Sequence, residues 1–252
     1  MGIDRSGSGG ARPGGGITAD AGGGVGVRGG VRGARPRGRQ AAGTRDAIMA
    51  TAERLFAEYG VTAVSSRQIS EAAGQGNNAA VGYHFGAKTD LIRAIVHRHD
   101  QVIEQSRRTM VDRIGAREDS PESVRAWVEC LVLPLTEHLA AVGRTSWYAR
   151  FSLQVSTDPA LREIVADEVL GSPSLGRIAK GLHPCLSALP DAVREERLDM
   201  VRSLMMHACA DRERALAASG EPPHPAWART ATLLVDAITG LLLAPVSAVS
   251  AS

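Results

Sequence analysis

The sequence predicts an all-α protein: an N-terminal three-helix unit containing a helix-turn-helix, followed by a larger helical unit. Three observations carry this. From Thr44 onward apolar residues recur at intervals of three and four, and no two-residue alternation competes with them. Helix starts and stops are marked by side chains that cap or break, namely Ser65, Ser120-Pro121 and Asp158-Pro159 at starts and Gly60, Gly74 and Gly86 at stops. Finally, 44% of the 252 residues are hydrophobic but only 4% aromatic, which allows a sizeable, mostly aliphatic core.

Charge divides the chain into three segments. Residues 1–43 carry seven arginines against Asp4 and Asp20, residues 44–98 are nearly neutral, and residues 99–252 are acidic, with a formal net charge of +2 for the whole. This polarity suits a polyanion near the N-terminal third and none near the rest. Sixteen of the 28 glycines lie in residues 1–43, and no aromatic does. Such a leader buries too little apolar area to offset its backbone entropy and is expected to be disordered. Two readings of its basic end, Arg35 to Arg39, stand side by side: a flexible arm contacting DNA, or a low-complexity extension. Three scattered cysteines without a CxxC pair argue against a disulfide framework or zinc finger and suit a reducing compartment. The most apolar stretch, Leu233 to Val249, is broken by Asp236 and Pro245, so no membrane span is expected. No apolar stretch follows the N-terminal arginines as a secretory signal requires, and a soluble cytoplasmic protein is the expectation.

In residues 44–98 the first helix carries Ile48, Ala52, Leu55, Phe56 and Tyr59 on one face and stops at Gly60. Ser65-Ser-Arg-Gln68 is a capping box, so a second helix runs from there through Ile69 to Gly74. A Gly/Asn turn leads to a third helix over roughly Asn78 to Phe85, with Val81 and Phe85 inward. Gly86 closes it, and a fourth helix opens near Thr89 and continues to Ile114. Two short helices joined by a glycine-containing turn form a helix-turn-helix, whose second helix fits a major groove about 12 Å wide.

The residues Ala52-x-x-Leu55-Phe56-Ala57-Glu58-x-Gly60, Ser66-Arg67-x-Ile69-x-x-Ala72-Ala73-Gly74 and Tyr83-His84-Phe85-Gly86-x-Lys88-x-x-Leu91 resemble the TetR (tetracycline-repressor) family of bacterial transcription regulators. The resemblance covers about 50 residues; beyond them only length and helical character agree. It implies that Arg67, next to Ser66 early in the second helix, reaches a base edge or phosphate. It places Tyr83 and His84 where the end of the recognition helix holds phosphates, and Lys88 on a further phosphate. The turn before the third helix is one residue longer than the common spacing. Gly82 stands where most members have a tyrosine, and Ala87 where most have a capping serine. Asn77 and Asn78 each have two readings, a bidentate contact to adenine or a cap on the third helix.

The segment 99–252 continues with helices from Pro121 through Leu135, with a kink expected at Pro134, and from Arg144 to Val155. A short one follows Pro159, through Leu161, Ile164 and Val165, and a weaker one spans Ser174 to Leu189. Asp191 to Ala218 and Trp227 to Leu243 form the last two. Their apolar positions Leu204, Met205, Trp227, Leu234, Ile238, Leu241 and Leu242 exceed what one helix needs; they form an isologous four-helix dimer interface, the arrangement the resemblance implies, or alternatively complete the monomer's own core. Trp147, Tyr148 and Phe151 fall within five residues, beside Arg150 and Gln154, with Trp127 and His138 on the preceding helix. These seven line a small-molecule pocket or, alternatively, simply pack as core. An inward Arg150 would favour an acidic ligand.

No GxSxG, HExxH or P-loop occurs, so no catalytic residue, cofactor or metal is expected. His207 and Asp211, four apart, lack a third ligand. The functional expectation is a homodimeric regulator, a repressor, gripping a palindromic double-stranded DNA operator and released by a small-molecule effector of unknown identity. The alternative is an effector-independent DNA-binding dimer with a filled C-terminal core.

Overall fold

The structure, a computed structural model, describes residues 37–114, 121–163 and 171–247, all within the unit Arg37–Ser252. In chain order the described helices are α1 (Arg37–Tyr59), α2 (Ser66–Ala72), α3 (Ala80–Phe85), α4 (Lys88–Ile114), α5 (Pro121–Val142), α6 (Tyr148–Thr157), α7 (Pro173–Cys185), α8 (Asp191–Ala218) and α9 (Pro223–Leu243). Among the described residues there is no strand. The leader's basic residue Arg35, and Ile164 and Val165 farther on, lie outside the described residues.

Three expected helix starts move. α1 begins at Arg37, so the last seven residues of the expected disordered leader are helical. There Ala41 and Ala42 favour helix, and added turns need only local hydrogen bonds. α6 begins at Tyr148, after a turn in which Gly143, at a left-handed φ of 86°, ends α5 and accepts the Ser146 N–H on its carbonyl. α3 begins at Ala80, with no side-chain cap.

The N-terminal unit packs α2 and α3 against α1 and α4. Ile48, Ala52, Phe56, Ile69, Val81, Leu91, Ile92 and Ile95 are buried in it. α4 runs without a break through position 98, the expected unit boundary, and carries this packing into the second unit. There α5 is the central helix, contacting α4, α7 and α9, while α6 lies between α1 and α8. Trp127 of α5 packs against Gly181 of α7, where an added Cβ would come within 2.2 Å of the indole.

Burial within the single chain divides the seven apolar positions expected at a dimer surface or in the core. Met205, Trp227, Leu234, Ile238 and Leu242 point into this chain's own core and Leu241 is half-buried, leaving only Leu204 of the seven exposed. Both helices are apolar on more than one side, and the α8–α9–α5 packing chooses which side is inside. A different stripe is left on the surface between α8 and α9, formed by Leu204, Ala208 and Ala215 facing Leu233 and Ala237. α9 is long and apolar enough to cross a membrane by length and composition, and its buried face packs against α5 and α8.

Candidate nucleic-acid interface

The helix-turn-helix is held by backbone and side-chain bonds that arise in a definite order along the chain. α1 ends where Gly60, at φ 84°, donates its N–H to the Phe56 carbonyl. Ser65 then caps α2: its hydroxyl accepts from the Gln68 N–H, and the Gln68 side chain accepts from the Ser65 N–H at 2.8 Å. α2 closes at Gly74, φ 68°, with the Gly74 N–H on the Glu71 carbonyl and the Gln75 N–H on the Ser70 carbonyl, both at 3.0 Å. This pair of bonds satisfies two carbonyls that the helix end would leave open. Ser70, buried, fixes the crossing of the two helices: its hydroxyl donates to the Ser66 carbonyl and accepts from the Val81 N–H of α3.

α3 has only six residues, too few to persist by its own hydrogen bonds, so its neighbours determine its position. Val81 anchors it from below. From α1, Arg45 donates to the His84 carbonyl at 2.6 Å and lies 4.2 Å over the Phe85 ring. Neither Arg45 nor Ser70 carries a recognisable sequence signal. Their partners lie 39 and 11 residues away.

The sequence-predicted residues fall into two groups. Ser66, Arg67, Asn77, Asn78, Tyr83 and His84 all sit on or beside α2 and α3. Tyr83 is 83% exposed, with its ring edge-on to His84. Arg67 is exposed and its Nε donates to Glu71, one turn on, at 2.7 Å, a pair that lifts its pKa. Asn77, not Asn78, shapes the turn, because its side-chain oxygen accepts the Ala79 N–H at 2.9 Å. The expected cap at Asn78 is therefore absent.

Lys88 stands apart. Its ammonium donates to the carbonyls of Val61 and Val64, at 2.7 and 2.8 Å, and lies 5.8 Å from the centre of the Phe56 ring. Partial burial lowers its pKa from the usual lysine value. So placed, the lysine clamps the turn between α1 and α2. The start of α4 is stabilised instead by Asp90, which accepts the Ala87 N–H at 3.1 Å, so the missing serine cap is replaced from within the helix.

The seven residues expected to line a ligand pocket separate into different environments. Trp127 packs on Gly181. Arg150 is paired with buried Glu213 at 3.0 Å and lies 4.0 Å over the Trp147 ring, so it offers no inward charge to an acidic ligand. Glu213 also accepts the N–H groups of Ala149 and Arg150, supplying from α8 the cap that α6 lacks in its own sequence. Tyr148 and Phe151 are buried, and Phe151 stacks with Phe56 of α1 at 6.1 Å. Half-buried Gln154 lies by the Gly60 turn.

His138 belongs to a polar chain that crosses both units. Glu53 of α1 accepts from Arg98 of α4 at 2.6 Å and lies 3.0 Å from His99 Nε2. His99 Nδ1 is 2.7 Å from His138 Nε2, and Tyr148 stacks on His99 at 3.9 Å. Burial first, then the charge of His99, holds the His138 pKa down to about 4. His207 and Asp211 have separate partners, the Ser203 carbonyl and Arg214.

Residues 48–95 match the family described as bacterial regulatory proteins, tetR family, and residues 129–240 match a tetracyclin repressor-like C-terminal domain. Comparison with curated proteins finds no match. Among solved structures, one similar to this chain is the TetR family transcriptional regulator PfmR from Thermus thermophilus, at 17% identity, 81% of this chain, 98% of that chain and a TM-score of 0.43. A TetR-family regulator from Streptomyces coelicolor is 21% identical over 83% of this chain and 99% of its own, with a TM-score of 0.36. Another, from Pectobacterium atrosepticum, is 23% identical over 84% and 100%, with a TM-score of 0.31.

Proposed function

The chain belongs to the TetR family of bacterial regulatory proteins, and from that membership we propose that it is a cytoplasmic homodimeric repressor that binds a palindromic DNA operator. The observation that carries this reading is the exposed α2–α3 edge. Arg67 and Tyr83 project from it, while Ser70 and Arg45 hold the two helices from behind. Each subunit sets α3 in a major groove, with Ser66, Arg67, Asn77, Asn78, Tyr83 and His84 as the contacting set. The Leu204–Leu233 stripe on α8 and α9 is the face that meets a second copy, placing two reading heads about 34–36 Å apart for successive grooves.

Release by a small molecule would follow if an effector altered that separation, and the coupling would be reciprocal: DNA would weaken effector binding as effector weakens DNA binding. A specific observation favours the second reading, a dimer that binds DNA without an effector. Tyr148 and Phe151 are packed against His99 and Phe56, as a filled core requires.

A salt titration tests the proposal, comparing DNA from upstream of the protein's own gene and sites selected from a random pool with unselected duplex. Site-selective binding that weakens steeply with salt is the expected result. Arg67→Ala should lose roughly 5- to 150-fold on the selected site if it reads a base. Equal losses on selected and unselected duplex would make it a phosphate contact, and no binding to any duplex would sink the proposal.

A further inference from the structure

Helix interiors disfavour glycine because the unfolded chain loses more freedom there, and a six-residue helix without a side-chain cap is poorly placed to absorb that. Yet Gly82 occupies the third position of α3. Two structural reasons ordinarily account for such a glycine. The first is a left-handed backbone, as at Gly60, Gly74, Gly86 and Gly143; Gly82 is not among the positive-φ glycines and is helical. The second is a neighbour too close for a Cβ, as Trp127 is at Gly181; a Cβ built at Gly82 meets nothing within 4 Å. Neither reason applies.

The position of Gly82 on the helix supplies a third reason. Ala80 and Val81 are buried toward the rest of the unit, whereas Gly82 is exposed beside Tyr83, the most exposed large side chain of this edge. The missing side chain therefore bares α3's backbone on the side turned away from the protein. We infer that Gly82 is a specificity-determining residue: the base edges of the operator pack directly against the bare α3 backbone at this position, at a distance that a single methyl group would prevent. Tyr83, adjacent, flanks that contact. The inference rests on the DNA-binding reading above. It adds that the fit at position 82 is steric and not a matter of hydrogen bonding.

The test is Gly82→Ala in the full-length chain, with Gly82→Ser as a second step in size. Binding is measured to a duplex that the wild-type protein selects from a random-sequence pool and to an unselected duplex, alongside thermal unfolding. The expected result is an unchanged or raised Tm, at least a tenfold loss on the selected duplex for Gly82→Ala and a larger one for Gly82→Ser. Binding to the unselected duplex should stay within about twofold. Retention of selected-site affinity by Gly82→Ala, or equal loss on both duplexes, overturns the inference while leaving the DNA-binding reading intact. A Tm lowered by several degrees overturns it too, since the glycine would then serve the fold. If the wild-type chain selects no duplex, the DNA-binding reading fails first and the inference with it.

Discussion

Replacing Lys88 with methionine separates a clamp from a phosphate contact. Methionine keeps most of the apolar stem that runs past Phe56 and removes only the ammonium, so the change is chiefly the loss of two charge-assisted bonds to the Val61 and Val64 carbonyls. Bonds of that kind contribute about 1.5–3 kcal/mol each when shielded. Lys88 is only half-buried, so water can take over part of the carbonyls' hydrogen bonding, and the net loss should be about 2 kcal/mol for the pair. For a folded unit of this size that is a fall in Tm of roughly 4–8 °C. Because no phosphate contact is lost, the dependence of log Kd on log salt should keep its slope, although affinity should fall as the turn leading into α2 loosens. The assay is thermal unfolding together with DNA binding at four or five salt concentrations. An unchanged Tm with a slope reduced by about one for each altered phosphate contact would refute the clamp and restore the phosphate contact implied by resemblance.

Acid should weaken the contact between the two units through His138. Its folded pKa of about 4 lies below the ordinary 6.5, so between those values the unfolded chain binds a proton that the folded chain excludes. Stability is therefore full above about pH 6.5 and falls as pH drops toward 4; discounted for partial exposure, the loss is about 1–2 kcal/mol, and His138→Gln should flatten the difference in Tm across that window. Glu213→Ala should cost about 3–5 kcal/mol in chemical denaturation, because it leaves the largely buried Arg150 guanidinium unpaired and removes the cap on α6. A loss under about 1 kcal/mol would show that solvent already compensates Arg150. Leu233, 65% exposed on α9, should tolerate glutamate without loss of fold, while sedimentation velocity shifts the protein to half its mass. An unchanged mass would exclude this stripe as the dimer face.

What could be read along the chain is what short-range interactions decide. The Ser65–Gln68 capping box spans four residues, the stops at Gly60, Gly74 and Gly86 are single positive-φ positions, and the apolar periods of α1, α4 and α8 repeat within a turn or two. These terms act equally in any fold, so residue order alone marks most of the helices and the stops between them. Tertiary packing decided the rest. Lys88 meets carbonyls 24 and 27 residues back, Arg45 reaches His84 across 39, and Glu213 caps α6 across 64. Nothing in the spacing of these residues announces a partner. The same holds for α8 and α9, whose several apolar sides offer more than one way to pack. Burial of Met205, Trp227, Leu234, Ile238 and Leu242 in one chain's core left Leu204 and Leu233 outside. Which side faces water depends on the neighbouring helices, and a helix's own sequence does not contain them.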